Sequence, residues 1–216
     1  MAQSEGVIQF AYNLTSPSDA GIHAETAATL NAWRSILRNL RLLGQDPARY
    51  DGLGFGNISA RGSPDSRDFV ISASQTGALD ELTQEHLVRV TDWNLDRFWV
   101  EAEGYQPPSS ETLTHAMIYS ADPRIRWIMH GHDPHIWSNG KALGLPETGK
   151  HVGYGSPEMT TAVAELLDKN QSRPLVFATL GHADGIFSCG PTARDTGGLL
   201  VSYLAKALSL TRQEAD

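Results

Sequence analysis

Cys189 is the only cysteine in the chain. It excludes an internal disulfide, and without a CxxC pair there is no thiolate-built metal centre. Alone in an apolar run, it reads as a small buried strand residue, and a cytoplasmic setting is expected. No run of eighteen apolar residues occurs, so no membrane span is expected. The opening MAQSEGVIQF has no basic region ahead of an apolar core, so it does not read as a secretory signal. Basic residues are few and scattered: 17 Lys and Arg stand against 25 Asp and Glu, giving a net charge of −8. Nucleic-acid readers need a basic face to neutralise phosphates, so no nucleic-acid partner is expected. Neither GxxxxGK(S/T) nor GxGxxG is present, which removes the common nucleotide cradles. Internal repeats and low-complexity blocks are also missing.

What is present suits one sizeable globular domain of 216 residues. Residues 1–20 read as a tail or a short edge strand (VIQFAYNL) followed by a Ser/Pro turn, and residues 21–216 as the domain. Residues 24–43 read as a helix, because Leu30, Trp33, Leu37, Leu40 and Leu43 recur at three- and four-residue spacing and Gly44 suits a stop. Strands are expected around Ile58, over Phe69 to Ser72, and as a pair on either side of Asn94 to Asp96. Residues 109–120 read as a helix capped by Ser109 or Ser110, and IRWIMHGH as a strand with a short helix from Pro134. Residues 142–155 read as a loop. Ser156-Pro157-Glu158 starts a helix to about Lys169, PLVFATL and GIFSC read as strands, and Pro191 opens a last helix to about Thr211. Interleaved strands and helices give an α/β or α+β class with helices on both sheet faces.

Eight histidines are the most informative count. His130 and His132 stand at i and i+2 on a strand, so they share a face and place two imidazoles side by side. Neutral imidazole suits zinc and other late divalent metals. A third ligand has to come from elsewhere, and His182, ending a buried strand in the tight GHADG turn, is the best candidate. The bland alternative is an accidental HxH with one ring buried and one solvated. Glu111 lies at the start of the 109–120 helix, where a carboxylate is favoured by the dipole alone. Its functional reading is a general base or a displaceable ligand, with a pKa raised by partial desolvation. His115, four residues on, shares its helix face and reads as a packing residue. Three segments suit an anion: Gly54-Phe55-Gly56-Asn57, Ser74-Gln75-Thr76-Gly77 and the helix start at Ser109-Ser110. Each is also ordinary turn chemistry.

Taken in order, GNIS at 56–59, TG at 76–77, PSSE with His115 four residues after Glu111, HGH at 130–132, and GH at 181–182 before DGI resemble class II aldolase/adducin proteins. The resemblance spans about residues 25–210. It implies a three-layer αβα single domain with a central, mostly antiparallel sheet, assembled as a homotetramer with active sites at subunit interfaces. It implies one divalent ion per chain, zinc first and manganese or another divalent ion as alternatives, on His130, His132 and His182. Glu111 would be the acid/base residue, and Asn57, Thr76, Gly77, Ser109 and Ser110 would bind the substrate phosphate. The implied activity is that of a lyase or isomerase acting on a small phosphorylated sugar or hydroxy-carbonyl compound through a metal-stabilised enediolate. Aldol cleavage comes first; epimerase, dehydratase or decarboxylase chemistry uses the same first shell.

The sequence also departs from the family pattern. The segment between the HGH strand and the helix at 156 is shorter than in sugar-phosphate aldolases, and their tyrosine proton donor has only His151 and Tyr154 as loose counterparts. SASQTG carries extra residues, GHADG replaces the usual HHG, and the chain stops soon after the last helix. A non-catalytic module like the adducin head is one rival, although such a module would be expected to have lost the ligands. A cupin-like oxygenase is another, and the helices at 24–43, 156–169 and 191–211 argue against its nearly all-β pattern.

Overall fold

The computed structural model describes residues 6–17 and 21–213. The expected tail at residues 1–5 and the Ser18 side of the Ser/Pro turn lie outside the described residues. The strands are β1 (Ala11–Thr15), β2 (Gly44–Gln45), β3 (Gly54–Phe55), β4 (Asn57–Ala60), β5 (Phe69–Ser72), β6 (Leu87–Asn94), β7 (Trp99–Glu103), β8 (Trp127–His132), β9 (Leu175–Ala178) and β10 (Gly185–Gly190). The helices are α1 (Ala24–Asn39), α2 (Thr112–Ala121), α3 (Pro134–Ser138), α4 (Pro157–Lys169) and α5 (Ala193–Gln213). One sheet of eight strands has the order β1-β7-β6-β5-β4-β8-β10-β9, and β2 pairs with β3 beside it. Only β1 on β7 is parallel within the large sheet; every other pair is antiparallel.

Two apolar layers enclose the sheet. On one face Ile71, Val88, Val90, Ile128, Phe177 and Phe187 pack with Leu113 and Ala116 of α2 and Met159 and Val163 of α4. On the other, Ile58, Met129, Val176 and Ile186 pack with Leu30 and Leu37 of α1 and Leu200 and Leu204 of α5. Strand alternation explains the division: Ile128 and Met129 are neighbours in β8 and face opposite layers. The architecture is therefore three-layer αβα around a mostly antiparallel sheet. No helix among the described residues is long and apolar enough to cross a membrane.

Helix α5 starts at Ala193 rather than at Pro191, and two other helix boundaries differ further from the sequence reading. Helix α1 ends at Asn39 rather than residue 43, and Leu40 is exposed instead of joining the apolar stripe. The stop is not at Gly44. Arg41 takes a left-handed φ of 59°, with the Leu42 amide on the Leu37 carbonyl and the Arg41 amide on Arg38, which closes the helix end as a Schellman motif. Leu42 and Leu43 then turn into the core on their own. Helix α2 starts at Thr112 with Glu111 at the cap position, so neither Ser109 nor Ser110 caps it. The Ser109 carbonyl instead accepts from the Thr112 amide (3.0 Å) and hydroxyl (2.6 Å), holding an extra turn ahead of the helix.

Candidate metal centre and anion recess

Strand β8 ends by presenting His130 and His132 on the α2 side of the sheet, with their Nε2 atoms 3.1 Å apart. Phe187 sits opposite His130 in register on β10 and stacks on its ring at 4.2 Å. The Nδ1 of His130 is 2.9 Å from the Ile186 carbonyl oxygen. A carbonyl only accepts, so Nδ1 is a donor here, and Nε2 is the ring nitrogen turned toward the cluster.

His182 arrives from the turn between β9 and β10. Its amide donates to the Thr179 carbonyl and its carbonyl accepts from the Gly185 amide, both at 3.0 Å. The turn packs so closely on the 142–155 loop that a Cβ at Gly181 would lie 2.0 Å from the Val152 carbonyl oxygen. The His182 ring stands edge-on to His132, with centroids 4.5 Å apart. Ligand atoms of His130, His132 and His182 all lie within 4.8 Å of one another, and all three rings are buried.

Glu111 completes the cluster from the start of α2. One carboxylate oxygen, Oε2, is 2.7 Å from His130 Nε2 and accepts from Asn57 Nδ2 at 3.3 Å; Oε1 is 3.4 Å from His182 Nδ1. Asn57 reaches it because β4 pairs with β8 so that Asn57 is directly opposite His130. The raised pKa expected for Glu111 is corrected here. Burial does push the carboxyl up, but the His130 and His182 rings beside it outweigh burial and hold it well below the usual carboxylate range. His132 is pushed well below the ordinary histidine range, by burial first and then by its two neighbouring imidazoles.

The donor set fits a divalent ion. The ring nitrogens of three buried imidazoles and the Glu111 carboxylate converge on one point, a set of nitrogen and oxygen donors that a divalent ion would hold together. A tetrahedral zinc site with Zn–N bonds of ~2.0–2.1 Å places ligand nitrogens roughly 3.3 Å apart, close to the 3.1 Å between His130 and His132.

Behind the cluster, His115 holds the helix that carries Glu111. Its Nδ1 is 2.7 Å from Ser59 Oγ on β4, and that oxygen is 2.8 Å from the Tyr119 hydroxyl. Burial pushes His115 down to about 3, so it is a neutral strut between helix and sheet.

The anion-binding candidates also meet. Asn57, Thr76, Gly77, Ser109 and Ser110 line one recess with Gly54, Gly56, Gln75 and Gly6. Arg34, buried beneath, donates to the Thr76 carbonyl at 2.7 Å and the Asp80 carbonyl at 3.2 Å, fixing the turn. A larger cavity of about 630 Å³ lies by the start of α1, with Arg89 and Trp127, and shares none of these residues.

Several neighbours of the cluster carry no signal in the sequence. The Tyr50 ring is edge-on to His132 at 4.8 Å, and its hydroxyl donates to Asp184 at 2.8 Å. Arg49 donates to the Tyr50 hydroxyl and to the His132 carbonyl. Tyr50 and Asp51 both adopt positive φ, a strained backbone of the kind that collects near functional sites. Of the two loose proton-donor candidates, Tyr154 is buried with its ring stacked on His182 at 4.7 Å, whereas His151 is exposed.

Residues 41–205 match the model of the class II aldolase and adducin N-terminal domain. The chain belongs to the class II aldolase and adducin family. None of the curated proteins matches its sequence. Among solved structures it resembles an L-fuculose 1-phosphate aldolase at 17% identity and TM-score 0.67, covering 92% of each chain. It also resembles a sugar-phosphate aldolase from Thermotoga maritima at 15% identity and TM-score 0.60, covering 88% of this chain and 96% of that one. L-fuculose 1-phosphate aldolase from Glaciozyma antarctica PI12 is similar at 19% identity and TM-score 0.55, covering 92% and 78%. At such identities the likeness establishes the fold. Family membership and the histidine cluster together support metal-dependent, sugar-processing catalysis in general.

Proposed function

We propose that this class II aldolase-like protein is a zinc-dependent lyase that cleaves a carbon–carbon bond in a small phosphorylated sugar or hydroxy-carbonyl compound. The observation that carries the reading is the meeting of three imidazoles, brought from β8 and the β9–β10 turn, with the Glu111 carboxylate from α2. His130, His132 and His182 would hold the ion, which when bound supplies Lewis-acid charge beside the substrate's carbonyl and neighbouring hydroxyl oxygens.

Glu111 is the proton carrier. Held ionised by its neighbours, it accepts the proton of the hydroxyl on the carbon to be released; the carbon–carbon bond breaks toward the carbonyl. The resulting acid then returns the proton to the carbon next to the carbonyl. Asn57 holds one carboxylate oxygen, so the other is the mobile site. The Thr76, Ser109 and Ser110 hydroxyls and the backbone amides of the Gly77 turn bind the phosphate. A homotetramer with interface sites belongs to the same proposal, with four chain masses expected by light scattering.

Metal analysis should find about one divalent ion per chain. His182→Ala should lose most of that ion, and unchanged occupancy would remove His182 from the ligand set. Glu111→Gln should keep the metal while turnover falls about 10²–10⁴-fold. A screen for aldol cleavage, epimerisation, dehydration and decarboxylation over small sugar phosphates and sugar acids decides the reaction. Silence with every substrate would favour a non-catalytic adducin-like module.

A further inference from the structure

The family match begins at residue 41, so residues 6–17 lie outside it. They are nonetheless anchored. Phe10 is buried in the layer under α2 and α4, the Ala11 amide donates to the Phe98 carbonyl, and β1 pairs with β7. Ahead of this anchor, the segment runs across the site. Gln9 Nε2 donates to the Tyr154 carbonyl at 2.9 Å, and the Val7 amide donates to the Tyr154 hydroxyl at 3.2 Å. The segment thus grips, at both ends, the tyrosine whose ring lies on His182.

Gly6 extends the cover to the anion recess and forms part of its wall. It packs so closely on Gln75 that a Cβ there would lie 1.9 Å from Gln75 Nε2, while Gln75 Oε1 accepts from the Gly54 amide at 3.1 Å. With both in place the recess measures about 20 Å³, room for about one water. A phosphate monoester head, with phosphorus and three terminal oxygens, needs more. Val7 is 52% exposed and Ile8 is only partly buried against the core, so one half-buried side chain and a few neutral hydrogen bonds hold the segment down, and bonds of this kind open readily.

We propose that Gly6–Gln9 is a lid over the anion recess and the histidine cluster, latched on Tyr154 and Gln75 and hinged at Phe10, which lifts to admit a phosphorylated substrate. The proposal rests on the reading of that recess as the phosphate subsite.

The test uses the full-length, zinc-loaded chain with two sets of changes. Gln9→Ala with Tyr154→Phe removes both latch bonds and keeps the ring on His182, while Gln75→Ala opens the recess from an exposed position. The readouts are the rate of zinc transfer to a coloured chelator, the affinity for inorganic phosphate, and the thermal midpoint as a check on folding. Zinc loss about tenfold faster from the latch variant, and tighter phosphate binding in both variants at an unchanged midpoint, is expected, since about 1.4 kcal/mol of latch corresponds to a factor of ten. Unchanged rate and affinity overturn the lid, as does weaker phosphate binding, which would make the segment part of the subsite wall. Phosphate binding to none of the proteins also overturns it. Metal content is measured separately: a chain that never retains a divalent ion sinks the lyase reading, and the phosphate comparison still decides the lid.

Discussion

His130 has one ring nitrogen on the Ile186 carbonyl and the other turned toward Glu111 and His132. Its ring orientation is therefore set by a backbone contact as well as by the site it serves. Glycine is used in a comparable way at the recess. A Cβ on Gly77 would lie 2.1 Å from the Gly44 carbonyl oxygen and 2.9 Å from Gly54 Cα, both backbone atoms that cannot swing aside. Gly77→Ala should therefore lower stability by about 2–3 kcal/mol and weaken phosphate binding, because the turn bearing Thr76 must shift. Urea unfolding and phosphate titration of the variant check both effects; a variant as stable as the parent would show that the turn has slack.

At the scale of elements, each group of the site is delivered by a boundary: the end of β8, the β9–β10 turn, the start of α2. Helix α4 underpins one of them by packing beside α2 in the same apolar layer. Its start is locally encoded. Ser156 accepts the Met159 amide at 3.2 Å and Pro157 opens the first turn. Ser156→Ala is expected to cost about 1 kcal/mol, read as a lower urea midpoint with an unchanged slope. No loss would mean that tertiary packing alone holds this end. Helix α1 is the contrasting case: its apolar spacing continues past Asn39, yet Arg41 closes it, because Leu42 and Leu43 bury better by leaving the helix.

For the molecule as a whole, acid and metal act on the same buried cluster. His115 is held neutral, near 3, by burial, against an unfolded value of about 6.5. Between those values the unfolded chain binds a proton that the folded chain refuses, so stability rises with pH by about 1.4 kcal/mol per unit. That contribution is fully present above about pH 6.5 and is lost as pH falls toward 3. The depressed Glu111 acts in the same direction at lower pH, its contribution being lost as pH falls below the ordinary carboxylate value of about 4.3. His115→Gln should flatten the urea midpoint between about pH 4 and 6 by one proton's worth; an unchanged slope would place the titration elsewhere. A divalent ion at 100 times its dissociation constant adds about 2.7 kcal/mol. Chelation should thus lower the thermal midpoint by about 5–10 °C for a domain of this size, and an unmoved midpoint would argue against a resident ion.

The sequence by itself determined the local facts: β8 and the shared face of His130 and His132, the capped start of α4, the interleaving that makes a layered α/β fold, and the order of motifs that marks the family. Those follow from backbone periodicity and capping, which act over a few residues. The tertiary structure decided which distant groups meet. His182 and Glu111 reach the β8 pair from positions 71 residues apart in the chain, and that meeting reverses the sign of the Glu111 shift, because ionisation depends on neighbours in space. The cover from Gly6 to Gln9 and the stacking of Tyr154 on His182 are likewise through-space arrangements, fixed by how the sheet and its loops close together and carried by no spacing along the chain.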